Sequence, residues 1–340
     1  MTRPTSRRPS DRTATRARAA VLGIDLGATK VVSALVDTRG RLLVHSGRHL
    51  HANDGPGGVL RSLVASAELC LKEAASPVTR VGLGVAAQVD PMSGSVVHAP
   101  NLGWRDVPLA RRVSDALGIA SVSVVNDARA ATYAEWRFGA GRGVEELFGL
   151  VFGTGIGGSA IVGGRLVEGS SHAAGEVGHL TIVSGGRKCH CPSWGCFEAY
   201  AGGWAIEERT REAVREDPHA GRTILKLAGG SPEAISAGTL FRAYRRRDPL
   251  ARRLVRETER YLADGAVSVV NAFNPAVLVL GGGLLRGMPE FPSAVRTAVR
   301  ARCQPPAAGA QVVEAQLGEN ATLIGAAALA RERGARPRTR

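Results

Sequence analysis

The stretch Val21-Leu-Gly-Ile-Asp25-Leu-Gly-Ala-Thr29-Lys-Val-Val-Ser33-Ala-Leu-Val36 decides the fold, because the chain carries the same device twice. An apolar run from Ala20 to Asp25 meets the turn Leu-Gly-Ala-Thr and restarts as Val31 to Asp37. Short apolar runs bounded by glycine read as buried strands. The second copy is Gly149-Leu-Val-Phe-Gly153-Thr-Gly-Ile-Gly-Gly158-Ser-Ala-Ile-Val-Gly163. At a constant offset of 126, Gly23 falls on Gly149, Gly27 on Gly153, Ser33-Ala34 on Ser159-Ala160 and Val36 on Val162. A repeated strand–turn–strand unit predicts two related domains facing each other across a cleft.

The rest of the chain fits that plan. Val81-Gly-Leu-Gly-Val-Ala-Ala87 and Val122-Ser-Val-Val-Asn126 read as further buried strands, each ending in the small or polar residues from which α/β sheets build sites. Asp248-Pro249 is a helix start, and Leu250, Leu254, Tyr261, Leu262 and Ala266 keep helical spacing up to Asn274-Pro275. Val277-Leu-Val-Leu-Gly-Gly-Gly283 is another strand running into glycines, and Ala321 to Arg331 is a short Ala-rich helix. We expect a small N-terminal α/β domain over 20–125, completed by a C-terminal helix at 317–331, and a large α/β domain over 126–316. Residues 1–19 and 332–340 are basic tails with little to bury, expected to be disordered.

Glycine turns stand at three strand ends, 27–29, 153–158 and 281–283. Any one could serve a tight turn, but together they suit backbone N–H groups that close on a polyphosphate, with Thr29 and Thr154 adding hydroxyls. The candidate nucleotide-binding residues are Asp25, Gly27, Ala28, Thr29 and Lys30 in the first turn, Gly153, Thr154, Gly155, Gly157 and Gly158 in the second, and Gly281 and Gly282 in the third. Asp25 interrupts an apolar strand, where a carboxylate is costly to bury unless a cation such as Mg²⁺ compensates. Its repeat equivalent is Val151, so only one half supplies the acid. No G-x-x-x-x-G-K-[ST] is present, and the turns read as running into strands rather than helices, which argues against Walker-type and Rossmann sites.

Three of the five cysteines fall in Cys189-His-Cys191-Pro-Ser-Trp-Gly-Cys196-Phe-Glu198. C-x-C is too tight to bridge comfortably, and a catalytic thiol needs one cysteine with a base rather than three. Three thiolates and one imidazole instead make a closed tetrahedral Zn²⁺ site, structural because no position is left open. His179 and His190 compete for the fourth place; His179 is favoured, since His190 between two ligands would make a strained chelate. Cys70 and Cys303 sit apart and read as spectators. Asn126-Asp127, where a strand ends and a helix opens, fits an N-cap pair. It also fits a carboxylate base for phosphoryl transfer to an alcohol.

Asp25-Leu-Gly-Ala-Thr29 and Gly153-Thr-Gly-Ile-Gly-Gly158 resemble the first and second phosphate motifs of the sugar-kinase, Hsp70 and actin superfamily. Together with Ala99-Pro-Asn101-Leu-Gly-Trp104, Asn126-Asp127, Glu176-Val-Gly-His179 and the cysteine cluster, in order and spacing over about residues 20 to 330, they resemble the ROK family. That resemblance implies a two-domain α/β actin-like ATPase (ribonuclease H-like) fold with an interdomain cleft and a zinc-binding loop. It implies ATP and Mg²⁺ as cofactors beside structural Zn²⁺ on His179, Cys189, Cys191 and Cys196. It makes Asp127 the catalytic base, with Asn101, Asn126, Asp127, Glu176, His179 and Glu198 on the sugar.

Four positions depart from the family pattern: Ala28 stands for a second glycine, Gln88 lies in an altered acceptor loop, Arg129 replaces an asparagine and Pro192 a glycine of the knuckle. The expected function is an ATP-dependent kinase for the primary hydroxyl of a hexose, glucose first, with an N-acyl hexosamine or a sugar-like cyclitol as alternative acceptors. The family's other class, a sugar-responsive repressor, is disfavoured: about twenty residues precede Val21, too few for a helix-turn-helix reader, and the phosphate motifs are intact.

The formal charge of +14 sits largely in the tails, six Arg against one Asp in residues 1–19 and five Arg against one Glu in 331–340. Lysine occurs only at 30, 72, 188 and 226, so Arg is this chain's ordinary base and the excess reads as solvated ends rather than a nucleic-acid surface. No run approaches a membrane span and no apolar segment follows Arg7-Arg8 as a signal would require. The expectation is a cytoplasmic protein, without nucleic-acid or membrane partners, assembling as a homodimer or homotetramer.

Overall fold

The computed structural model describes residues 20–50 and 55–333; both tails, 1–19 and 334–340, lie outside the described residues. In chain order the strands are β1 (Val21–Leu26), β2 (Lys30–Val36), β3 (Leu42–His49), β4 (Arg80–Val85), β5 (Gln88–Asp90), β6 (Ser95–Ala99), β7 (Trp104–Val107), β8 (Ser121–Asn126), β9 (Leu147–Phe152), β10 (Ile156–Val162), β11 (Arg165–Leu166), β12 (Val277–Gly281) and β13 (Gln311–Glu314). One five-stranded sheet is ordered β3-β2-β1-β4-β8 and another β11-β10-β9-β12-β13; β5, β6 and β7 make a third, smaller sheet.

The repeat is therefore visible in the topology. In each five-stranded sheet the strand before the glycine turn pairs antiparallel with the strand after it and parallel with the next strand inward. The copies differ by one residue. Between the last paired positions, Leu26–Val31 and Phe152–Ile156, lie Gly27-Ala-Thr-Lys30 in one copy and only Gly153-Thr-Gly155 in the other. The offset of 126 thus holds for the first strands and becomes 125 for the second, so Ser33 and Ser159 match in sequence but not in ladder position.

The chain divides into two compact units, one holding residues up to Ala134, residues 170–173 and those from Asn320 onward, the other holding Glu135–Gly169 and Ala174–Glu319. The division lies inside the helix Asp127–Phe138 rather than at 125/126. The first turns of this helix pack on the C-terminal helix, where a Cβ on Gly325 would strike the Ala130 carbonyl. Its later part is tied the other way: Glu135 accepts from the Leu317 and Ala140 amides at 2.7 and 2.9 Å.

In the first unit, Leu22, Ile24, Leu26, Val81, Leu83 and Val85 face a core closed by the helix Gly55–Lys72. The alternate positions Gly23, Gly82 and Gly84 point to the other face, and the C-terminal helix Ala321–Arg333 lies on them. Strand alternation carries side chains on one face and bare backbone on the other. A Cβ on Gly23 would meet the Leu323 carbonyl, and one on Gly82 the Ala326 carbonyl. The helix answers with small residues, Ala326, Ala327, Ala328 and Ala330, and is buried on almost every side. It runs to Arg333, two residues into the stretch expected to be tail.

The second unit is built on the helix Pro249–Phe273, capped as its sequence announces: Asp248 accepts from the Ala251 amide at 2.9 Å, Pro249 fills the first turn and Asn274 closes it in the left-handed conformation. Phe148, Leu150 and Phe152 of β9 pack into its core. One sequence expectation fails here. The third glycine turn does not run into a strand: Gly282, at φ 104°, leads into the short helix Gly283–Gly287. Among the described residues no helix is long and apolar enough to cross a membrane.

A direct check of the glycine bed is Gly82→Ala, which forces a methyl into helix backbone and is expected to lower stability by about 3 kcal/mol or more in denaturant titration. Gly57→Ala, on the helix Gly55–Lys72 with its nearest neighbour an Arg61 nitrogen at 3.6 Å, should be neutral or slightly stabilising.

Candidate functional site: glycine turns, a base and a thiol cluster

Each unit assembles its own half of the predicted residues. In the first unit the C-terminal ends of parallel β1, β4 and β8 lie side by side, with Asp25 opposite Gly84 and Asn126 opposite Val85. Asp25 and Asp127 are thus brought to one sheet edge two strands apart, about 10 Å by strand spacing. The first turn is closed by the Gly27 amide donating to the Lys30 carbonyl at 3.0 Å, while the Thr29 carbonyl accepts from Leu50 at 2.8 Å. The amides of Ala28 and Thr29 find no acceptor among the described residues. Ala28 is not in the left-handed region, so its methyl costs no backbone strain and the departure from glycine is harmless to the turn.

Asn126 does serve as the helix cap: its Oδ1 accepts from the Arg129 amide at 3.0 Å, and its Nδ2 donates to the Ala87 carbonyl at 3.3 Å. A second Nδ2 hydrogen is what it has left for a ligand. Asp127 opens the helix and is half-buried; its Oδ1 accepts from the Ala128 amide at 2.8 Å. Burial pushes its carboxyl above the usual aspartate range, although that amide pulls the other way. Asn101 is exposed on the turn Pro100–Leu102, which the buried Trp104 anchors. Gln88 is exposed opposite His98 in β6. Arg129 is buried and donates from Nη2 to the His172 carbonyl at 2.9 Å.

In the second unit the second and third turns come together. Gly281 pairs with Val151, and Gly282 lies so close to the Phe152 backbone that any Cβ would overlap it. The second turn proper is Gly153-Thr154-Gly155, whose Thr154 and Gly155 amides find no acceptor among the described residues. Gly157 and Gly158 lie beyond it in β10, and Gly158 makes room for Phe148 and Val177. Glu176 precedes and His179 ends the turn Val177–His179, which presses on β10: a Cβ on Gly175 would strike the Gly158 carbonyl, and one on Gly178 the Ile156 carbonyl.

Four potential ligand atoms, from His179, Cys189, Cys191 and Cys196, lie within 4.8 Å of one another. The Cys189 sulfur is 3.7 Å from His179 Nδ1, and the Cys191 and Cys196 sulfurs are 3.6 Å apart. A tetrahedron with metal–sulfur arms of about 2.3 Å has edges of about 3.8 Å, so the two pairs of ligand atoms match a Zn²⁺ site in size. His190 is excluded from it, stacked on Trp204 with ring centroids 3.8 Å apart. The other imidazole nitrogen of His179, Nε2, lies 4.0 Å from Glu176. Burial drives the Cys189 thiol up to about 12 and raises Cys196 as well. Burial raises Cys191 too, but the Ser193 amide and the neighbouring thiols outweigh it and leave it lowered. Pro192 is exposed and its carbonyl accepts from the Lys188 ammonium at 3.0 Å; no ligand is lost to it.

The cluster is fastened to the unit by groups that sequence reading passed over. Arg187 donates both Nη groups to Glu212 at 2.7 Å and one to Glu208 at 3.1 Å, and Tyr200 accepts from the Arg187 amide at 2.7 Å. Phe197, between Cys196 and Glu198, is fully buried against Gly265 and Phe152. Glu198 is held within the protein: Oε2 accepts from the Ile156 amide at 2.8 Å and Oε1 from the Trp204 indole at 3.1 Å.

Two related mixed sheets ending on phosphate-sized glycine turns, with an acidic pair on one edge and a zinc-ready loop, define a nucleotide-binding kinase of the actin-like ATPase fold. The chain belongs to the ROK family, whose profile matches residues 21–333. It is 33% identical to a glucokinase from Streptomyces coelicolor over 92% of this chain and 97% of the relative. Among solved structures, a ROK family glucokinase from Streptomyces griseus in complex with glucose and AMPPNP is 34% identical with a TM-score of 0.80, covering 92% of this chain and all of that one. A ROK hexokinase from Thermus thermophilus is 34% identical with a TM-score of 0.75, covering 93% and 99%.

Two outcomes follow for this site. Metal analysis of the purified chain should return about one zinc per chain, lost in Cys196→Ser and on acidification, since protons compete for the raised thiols. Asp127→Asn should melt above its parent at neutral pH: an aspartate raised by burial costs the native state stability once ionised. That cost is absent below the ordinary aspartate value of about 4, so the gap between the two melting temperatures should close there.

Proposed function

We propose that this chain is an ATP-dependent kinase that phosphorylates the primary hydroxyl of a hexose, with glucose as its acceptor. The observation that carries the reading is the placement of Asp25 and Asp127 on one edge of the first sheet, the glycine turn beside the one and a helix opening on the other. The full-length likeness to glucokinases supplies the acceptor. Each unit would offer ATP phosphates a pair of amides of its own, Ala28-Thr29 in the first and Thr154-Gly155, backed by Gly281 and Gly282, in the second. Asp25 offers the oxygen ligand that Mg²⁺ prefers, and the ion, when bound, neutralises charge on the transferred phosphoryl group.

Asp127 would orient the acceptor hydroxyl and take its proton, and its raised carboxyl is the better base for it. Asn101, Asn126, Glu176, His179 and Glu198 would read the remaining hydroxyls, a set of amides, carboxylates and imidazole that both donates and accepts. The zinc loop would hold His179 by Nδ1 and leave Nε2 to the sugar side. The reading places the enzyme in the cytoplasm as a homodimer or homotetramer, which sedimentation can test.

A coupled ADP-release assay over glucose, N-acyl hexosamines and cyclitols decides the acceptor: glucose should give the highest kcat/KM, and no turnover with any polyol would sink the kinase reading. Asp127→Asn should lower kcat by about a hundredfold or more. Since only the ionised carboxylate accepts the proton, kcat/KM should fall on the acid side with an apparent pKa above the usual aspartate range.

A further inference from the structure

Glu198 occupies a position that a sugar reader does not need. It stands two residues beyond Cys196, yet its carboxylate reaches 42 residues back along the chain to cap the Ile156 amide at 2.8 Å, at the exit of the second glycine turn. Gly155 leaves no space there: a Cβ would overlap Glu198 Oε2. The other oxygen takes the indole N–H of Trp204 at 3.1 Å, and the Trp204 ring stacks on His190, between Cys189 and Cys191. The backbone around Trp204 binds the same turn directly, Gly203 donating to the Gly153 carbonyl and Trp204 to the Thr154 carbonyl, both at 3.0 Å. Gly203 permits that approach, since a Cβ would sit 2.7 Å from the Gly153 carbonyl.

These bonds take up the carbonyls of Gly153 and Thr154 and the amide of Ile156, and what remains are the two amides of Thr154 and Gly155. From this geometry we infer that Glu198 and Trp204 are positioning residues for the nucleotide: they fix the second turn so that its two remaining amides converge on a phosphate. The inference rests on the kinase reading and deepens it. A carboxylate has about four acceptor positions, and two are spent here, so the same side chain can also meet a sugar hydroxyl. Acceptor and donor would then share one group, and a preorganised turn binds phosphate without first paying to order itself.

The test is equilibrium binding to the full-length protein by calorimetry, with Mg²⁺·ADP in the absence of sugar and glucose in the absence of nucleotide. Trp204→Phe keeps the ring and its stacking but removes the N–H that aligns Glu198. It should weaken ADP by about tenfold while glucose stays within about twofold. Gly203→Ala, whose methyl would push the Gly203–Trp204 backbone off the Gly153 carbonyl, should repeat the pattern, with zinc content unchanged in both. Melting temperature is followed for each variant, and Trp204→Leu, which keeps apolar bulk without the N–H, replaces either one that fails to fold. A variant that weakens glucose alone, or leaves both affinities at the parent's values, overturns the inference. A parent that binds glucose but no adenine nucleotide overturns the ATP-kinase reading and this inference together.

Discussion

Backbone can approach backbone, or a phosphate, only where no Cβ stands between, and this steric constraint organises the whole chain. Its 43 glycines are not scattered softness. Gly23, Gly82 and Gly84 strip one face of the first sheet so that a helix can lie on it, and Gly325 lets that helix touch the Ala130 carbonyl in turn. Gly282 brings the third turn against the second, and Gly175 and Gly178 press the Glu176–His179 segment onto β10. The carboxylate, imidazole and thiol groups of the second unit take their places from these contacts, because each hangs from a segment that glycine allows to be close.

Electrostatics then select what the packed groups can do. Two of the three clustered thiols, Cys189 and Cys196, are raised by burial and resist losing their protons unaided, and a divalent cation is the simplest compensation. Arg187 cannot provide it, since its guanidinium is committed to Glu208 and Glu212. On the other unit burial outweighs the Ala128 amide at Asp127 and makes it a stronger base than a solvated aspartate. The same force has opposite uses, prompting a metal to bind in one place and a proton in the other.

Much of this was legible before any coordinate. The duplicated hairpin announced the paired sheets, Asp248-Pro249 and Asn274 announced the long helix, and the cysteine spacing announced a four-ligand site. What escaped notice was fixed by tertiary contact. The one-residue difference between the turns is invisible to a constant offset, because Ser33-Ala34 and Ser159-Ala160 align by composition while the ladders do not. The helix after Gly282 is too short to show periodicity. Asn126 proved to be the cap that its position allowed, whatever else it does. Glu198 stands two residues from Cys196 in the sequence, but its bonds to Ile156 and Trp204 join segments that no local pattern relates. Trp204 itself carried no signal beyond the two glycines before it.

The helix laid on the glycine face also sets an order of assembly during synthesis. The strands of this sheet are made before the whole of the second unit's long stretch, but their cover, Ala321–Arg333, is made only after it. Until then Gly23, Gly82 and Gly84 present bare strand backbone to the solvent. Apart from the short excursion at 170–173, the second unit is a continuous piece of chain that is complete before that helix emerges. Nascent chains generally fold domain by domain from the amino terminus. Here the first unit is instead finished by the helix Ala321–Arg333, so a chain that stops before Ala321 holds a finished half and an unfinishable one.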